Sequence, residues 1–352
     1  MYIKRAAIGD KNAIFEFINN ANLIVKVPEQ WNWQFIVNPF VKKGELPICI
    51  AVDKNGKVVG QTCSMIEPIK IGEYEFKVGW DINTHVLESQ RGFGIGTSLQ
   101  KLNHQSNKIN MSLIITEANR NIKKKFGSIP TTKLYSYVLK FKLDSLENYV
   151  NKKIIAIRFF KLTSIYKALL FLINKWLSYK RKNADFDFLS FKTVSCFGKE
   201  IDLLWEKLAP EFDCAIIRSS KYLNWKYVEQ PNVWYDLFLV EKDKNVVGYL
   251  ILRKINDHGI IVDFLFSKKN KDVIIGALNF AVNYFSREGD YNIRIATSVK
   301  EYQECIKKIG IPWPVSAKAP MFFSADPFII NTAKTKNWLL SYGDHNLQQL
   351  YQ

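Results

Sequence analysis

The chain has 352 residues, 47% of them hydrophobic and 14% aromatic, with a mean hydropathy of −0.12. That balance excludes intrinsic disorder, collagen-like repeats and a disulfide-stapled miniprotein, and the length suits two ordinary domains. Fifty Lys and Arg against 33 Asp and Glu leave a formal charge of +17, which favours an anionic partner without choosing among nucleic acid, an acidic membrane and a phosphate-bearing small molecule.

The start, from Met1 to Ala6, lacks the apolar core of a signal peptide, and no uncharged apolar run is long enough to span a bilayer, so a cytoplasmic protein is expected. Asp10 is the expected N-cap of a first helix, with Ile14, Phe17, Ile18 and Ala21 at helical spacing. Apolar strands at 47–52 and 58–66 are joined by Asn55-Gly56, a hairpin signal. A strand at 76–86 leads to a Gly-rich loop, a helix near 97–105, a strand at 113–116, a short basic helix and a strand at 134–143. Later come strands at 237–240, 246–253 and 259–265, a helix near 273–285, a strand at 293–296 and a helix at 300–309. Hairpins followed by β-α-β predict an α/β (α+β-like) chain of mixed, mostly antiparallel sheets flanked by helices. The five cysteines form no Cys-x-x-Cys pair and the four histidines no ligand spacing. Free thiols in a reducing compartment and no metal are expected.

The chain repeats itself. Asn32-Trp33-Gln34-Phe35-Ile36-Val37-Asn38-Pro39 returns as Asn224-Trp225-Lys226-Tyr227-Val228-Glu229-Gln230-Pro231. Lys57-Val58-Val59-Gly60 returns as Asn245-Val246-Val247-Gly248, and Lys124-Lys125-Phe126-Gly127 as Lys307-Lys308-Ile309-Gly310. Three colinear matches, at offsets of 192, 188 and 183, point to two copies of one domain. The expected units are 1–145, a connection at 146–190, a second copy at 191–335 and a tail at 336–352. Within the connection, residues 151–182 carry nine Lys or Arg and no acid, interleaved with apolar residues. Such a helix packs on its neighbours or lies on an anionic membrane, giving a possible peripheral contact.

The chemistry concentrates in Val86-Leu87-Glu88-Ser89-Gln90-Arg91-Gly92-Phe93-Gly94-Ile95-Gly96-Thr97. Alternating glycines after a strand and before a helix let backbone N–H groups converge on a phosphate or pyrophosphate. A dinucleotide-binding loop would have a small third residue where Thr97 or Leu99 stands, and no Gly-Lys-Ser/Thr of a nucleotide-triphosphate loop is present. Along the preceding strand, simple alternation puts Asp81, Asn83 and His85 on one face, which suggests a wet cleft. His85 is a candidate base with Asp81 orienting it, and Glu117, at the end of the neighbouring strand, is the alternative.

Arg91-x-x-Gly94-x-Gly96 at a helix start resembles the acyl-CoA pyrophosphate motif of the GCN5-related N-acetyltransferase superfamily. The likeness covers residues 1–145 and, through the repeat, about 200–330 as a degenerate second copy whose glycine loop is replaced by Phe266-Ser267-Lys268-Lys269-Asn270. The resemblance implies two tandem domains of that fold and acyl-CoA as co-substrate. Backbone groups near Thr84 and Val86 would hold the pantetheine, the loop amides of Arg91, Gly92, Phe93, Gly94, Ile95, Gly96 and Thr97 the pyrophosphate, and Asn119 would lie near the cofactor's arm. The second copy would complete the acceptor cleft.

Tandem chains of this size with a segment like Tyr222-Leu223-Asn224-Trp225-Lys226-Tyr227 resemble bacterial sugar N-acyltransferases of surface-polysaccharide synthesis, implying a nucleotide-linked amino sugar as acceptor. Trp31, Trp33 and Trp80 are candidates to stack on its base or sugar. The alternatives are another small amine or peptide acceptor, or a non-enzymatic basic protein binding membrane or nucleic acid. No nucleic-acid motif supports the last.

Overall fold

The computed structural model describes residues 1–21, 28–113, 115–140, 187–288, 292–311, 314–335 and 337–344. The basic segment 151–182 lies outside them. In chain order the first half comprises β1 (Tyr2–Arg5), α1 (Lys11–Asn20), α2 (Pro28–Phe35), β2 (Ile48–Val52), β3 (Val58–Ile71), β4 (Tyr74–Val86), α3 (Ile95–Ser106), β5 (Ile109–Ser112), α4 (Glu117–Lys125), β6 (Ile129–Pro130) and β7 (Leu134–Lys140). The second half comprises β8 (Ser190–Val194), α5 (Lys199–Leu208), β9 (Cys214–Ile216), α6 (Ser220–Leu223) with a π-helical turn (Asn224–Val228), β10 (Asp236–Lys242), β11 (Asn245–Ile255), β12 (His258–Phe266), α7 (Lys271–Arg287), β13 (Asn292–Thr297), α8 (Lys300–Lys308), β14 (Ser316–Lys318), β15 (Met321–Ser324), α9 (Pro327–Ala333) and β16 (Trp338–Leu339). Apart from β9, α9 and β16, the second half repeats the first in kind and order.

Two mixed sheets result. Alternation along β2 shows how each face is covered. Ile48, Ile50 and Val52 pack with Ile14, Phe17 and Ile18 of α1, while Cys49 and Ala51 pack with Ile95 and Leu99 of α3. The hairpin β3–β4 runs antiparallel from Gly60↔Val86 to Ile71↔Tyr74, five residues longer on β3 than the pattern predicts. Its turn is Gly72-Glu73, not a loop over 67–75, so the polar residues Glu67 and Lys70 lie within a strand.

The sheets exchange strands. β7 pairs with β13 and β14, completing the second sheet, while β15 lies between β5 and β6 in the first. Residues 134–140 and 321–324 thus pair outside the segments 1–145 and 191–335 in which they fall. The halves also meet through the repeated motif itself. Trp33 and Trp225 stack at 5.0 Å; Trp33 Nε1 donates to the Trp225 carbonyl at 2.8 Å, and Trp225 Nε1 to the Trp33 carbonyl at 3.3 Å. Each residue makes to its counterpart the contact its counterpart makes to it, as in the two-fold interface of a homodimer.

Candidate active site

β4 and β5 run parallel and pair only at Gly79↔Asn110 and Trp80↔Met111. Beyond that point β4 continues to Val86 with its β5 edge unpaired, so a groove opens between the strands. Leu87 N–H donates to the Val59 carbonyl at 2.9 Å. The antiparallel alternation then turns the amide and carbonyl of Val86 away from β3, toward that open edge. The Val86 carbonyl accepts from Arg91 Nε at 3.3 Å.

The glycine loop sits at the mouth of the groove. Gly92 and Gly94 adopt φ of 89° and 75°, a region in which an L side chain is strained, and open space surrounds both. Gly94 is the N-cap of α3 and supplies no side-chain cap. The amides of Ile95, Gly96 and Thr97 therefore lie in the first turn of a helix, where no intrahelical acceptor exists. Ile95 is buried as an anchor, whereas Phe93 is 72% exposed at the loop tip. The helix dipole and Arg91 make this the natural seat for an anion.

Several expectations are corrected. Asp81 and His85 stand on opposite faces, because β4 carries a bulge: Gln61 faces His85 and Cys63 faces Ile82, leaving one residue extra. Asn83 is at φ 51°, a left-handed conformation that Asn tolerates. As a result Ile82 packs in the α1 cluster and Val86 in the α3 cluster. His85 lies on the α1 side, 6.0 Å from the Phe17 ring, and Asp81 on the α3 side, so Asp81 does not orient it. Partial burial, with the positive charge of Arg91 added, lowers the His85 pKa. That shift favours the neutral imidazole, the form a base needs.

Glu117 does not end a strand. It is the exposed first residue of α4, whose N-cap Thr116 accepts from the Asn119 amide at 3.3 Å. Two residues on, Asn119 presents a buried Oδ1 with no partner among the described residues. Thr84 lies at the bulge of β4, its hydroxyl bonded to Thr62 Oγ1 at 2.7 Å and accepting from Gln100 Nε2 at 2.8 Å. Trp31, Trp33 and Trp80 are buried to 3% exposure or less and are not open to stack on a ligand. Trp80 Nε1 donates to Glu67 Oε2 at 2.9 Å, and Glu67 pairs with the wholly buried Lys226.

A residue that sequence reasoning missed is Lys123. It looks like part of a solvated basic run, yet it is 1% exposed and paired with Asp81. The signal was present: Asn119 and Lys123 fall at i, i+4 on a helix with a single large apolar residue, Ile122, so a polar face turns inward.

In the second half the corresponding loop is occupied from within. The Glu211 carboxylate accepts from Ser267 Oγ at 2.6 Å and from the Lys268 amide at 2.7 Å. Among the described residues no cluster of three His, Cys, Asp or Glu side chains could hold a metal, and no helix is long and apolar enough to cross a membrane.

Among solved structures, the chain is similar to a GCN5-related N-acetyltransferase from Anabaena variabilis, with 12% identity, a TM-score of 0.60, and coverage of 91% of this chain and 72% of that one. It is likewise similar to one from Kribbella flavida, with 10% identity, a TM-score of 0.59, and coverage of 91% and 70%. Saccharomyces cerevisiae N-myristoyltransferase with bound myristoyl-CoA gives 9% identity, a TM-score of 0.56, and coverage of 92% and 79%. At these identities the likeness is one of fold, and the fold is that of the GCN5-related N-acetyltransferases. No family model and no curated protein matches the sequence.

Proposed function

We propose that the protein is an acyl-CoA-dependent N-acyltransferase with one cofactor site, in the first half. The observation that carries this reading is the edge of β4, unpaired among the described residues, ending in a glycine loop that opens α3 with no side-chain cap on its first amides. The pyrophosphate of CoA fits the first turn of α3. The pantetheine arm fits the groove, where the Val86 amide and carbonyl and the orphaned Asn119 Oδ1 offer partners. Solved structures of the same fold, a probable N-acyltransferase from Enterococcus faecalis and the myristoyl-CoA complex among them, support the class.

In this reading His85 takes a proton from the ammonium form of the acceptor. The neutral amine attacks the thioester carbonyl, the C–S bond breaks, and CoA leaves as a thiolate that is then protonated. The Val86 N–H would stabilise the oxyanion. The acceptor we favour is a nucleotide-linked amino sugar, because both substrates would then carry a pyrophosphate to a chain of charge +17.

The test is release of free thiol from acyl-CoA against a panel of amines. Nucleotide-linked amino sugars are expected to support turnover, and His85→Gln to lower kcat by roughly 10²-fold or more and remove the acid limb of the pH profile below the ordinary histidine value of 6.5. Activity on simple amines alone would overturn the acceptor; an unchanged pH profile in His85→Gln would overturn the base.

A further inference from the structure

The bulge in β4 gives His85 a neighbour other than Asp81. In the β3–β4 hairpin Gln61 stands directly opposite His85. Residues so placed in an antiparallel pair share a face, with Cβ atoms about 5 Å apart. The residues on either side of Gln61 agree. Thr62 accepts from Gln100 of α3, and a side chain at Gly60 would meet Leu99 of α3, so Gln61 between them points to the α1 side. There β2 sets Ile50 beside it, in the apolar cluster that holds Phe17, Cys63 and Ile82.

Gln61 is 1% exposed, and its Oε1 has no hydrogen-bond partner among the described residues. A buried carbonyl oxygen left without a donor is costly. Ile50, on one side, has no side-chain donor to give. His85, on the other, carries a ring N–H in either tautomer. The charge that acts on His85 is that of Arg91, and α1 turns the Phe17 ring toward it. In the second half Gly248 matches Gly60, and the next pair along those strands is Tyr249 opposite Leu265. The carboxamide facing an imidazole belongs to the half that carries the glycine loop.

We propose that Gln61 is the positioning residue of His85: its Oε1 accepts the N–H of one ring nitrogen, which leaves the lone pair of the other for the acceptor's proton. The proposal rests on the reading of His85 as the base. When the ammonium form of the acceptor gives its proton to His85, both ring nitrogens carry N–H and the ring becomes an imidazolium. The bond to Gln61 is then charge-assisted and stronger than before. Gln61 thus supplies what Asp81, on the opposite face, does not. It fixes the tautomer and favours the protonated ring without placing a carboxylate in the core.

Two variants separate this role from packing. Gln61→Met keeps the length of the side chain and removes the acceptor. Its Tm is expected to match or exceed that of the wild type, while kcat falls at least about tenfold and KM for acyl-CoA is unchanged. Gln61→Glu sets a carboxylate beside the imidazole. It is expected to raise the His85 pKa, followed by NMR of the ring protons, and to move the acid limb of the pH profile to higher pH. Wild-type kcat in Gln61→Met beside an impaired His85→Gln, or a His85 titration unmoved in Gln61→Glu, would overturn the positioning role. Should Gln61→Glu fail to fold, Gln61→Met decides: His85 is expected to titrate at lower pH than in the wild type, and an unmoved titration overturns the proposal. Normal turnover and an unchanged pH profile in His85→Gln would overturn the base reading instead.

Discussion

His104 lies beside the Asp81 cluster, 6% exposed, its ring stacked on Phe323 at 4.6 Å. Neither ring nitrogen has a hydrogen-bond partner among the described residues. Burial, outweighing Asp81 and helped by Lys123, pushes its pKa down to about 4 from 6.5. A histidine held neutral in the fold stabilises it above pH 6.5, and that contribution is lost as pH falls from 6.5 toward 4. The full effect is on the order of 3 kcal/mol. His104→Phe keeps the stacking and removes the titration, so wild type is expected to lose stability relative to this variant across that window in thermal melts. A constant gap would contradict the burial argument. At this scale the sequence is an uneven guide. The turn at Gly92 and Gly94 was legible from the glycines, which take φ of 89° and 75°, because backbone chemistry is local. The bulge at Asn83 was hidden, since one extra residue leaves the composition of a strand unchanged while reversing every side chain beyond it.

Among the elements, the two helix-opening loops show opposite solutions to the same problem. α3 begins on Gly94 with no side-chain cap on its first amides, while the loop before α7 gives its Lys268 amide and Ser267 hydroxyl to Glu211. Glu211 follows α5, outside the matched motifs, so sequence comparison of the copies exposed the lost glycines but not the carboxylate that fills the second loop. Glu211→Ala is expected to cost about 1–3 kcal/mol, the penalty for leaving such donors unpaired, and to leave CoA binding unchanged. Denaturant melts and titration together measure both, and weakened CoA binding would contradict the independence of the loops. α4 makes a related point. Its last-turn Lys123, Lys124 and Lys125 read alike, and only packing separates the buried one from the two exposed ones.

For the whole molecule, the order of elements and the duplication were legible from short motifs, and the reciprocal contact of Trp33 with Trp225 falls on the motif that revealed them. The strand exchange was not legible, because nothing local in the sequence of β7 or β15 names its partner. Its consequence is thermodynamic. The second sheet contains β7 of the first half, the first sheet contains β9, β15 and β16 of the second, and a continuous core runs through both, from Met65 and Trp80 to Tyr249 and Phe285. The chain is expected to unfold in a single calorimetric transition with equal calorimetric and van't Hoff enthalpies. Two resolved transitions would contradict this. The exchange also bears on the proposed site, because β15 of the second half flanks β5, one wall of the groove.

The central claim is one cofactor site per chain, formed by the first half. Calorimetric titration of the protein with CoA, repeated on Gly94→Glu, tests it most directly. The expected result is one site in the wild type, lost in a variant that still melts cooperatively, because the new side chain strains φ 75° and places a carboxylate at the pyrophosphate seat. Two sites, or binding that survives the substitution, would contradict it.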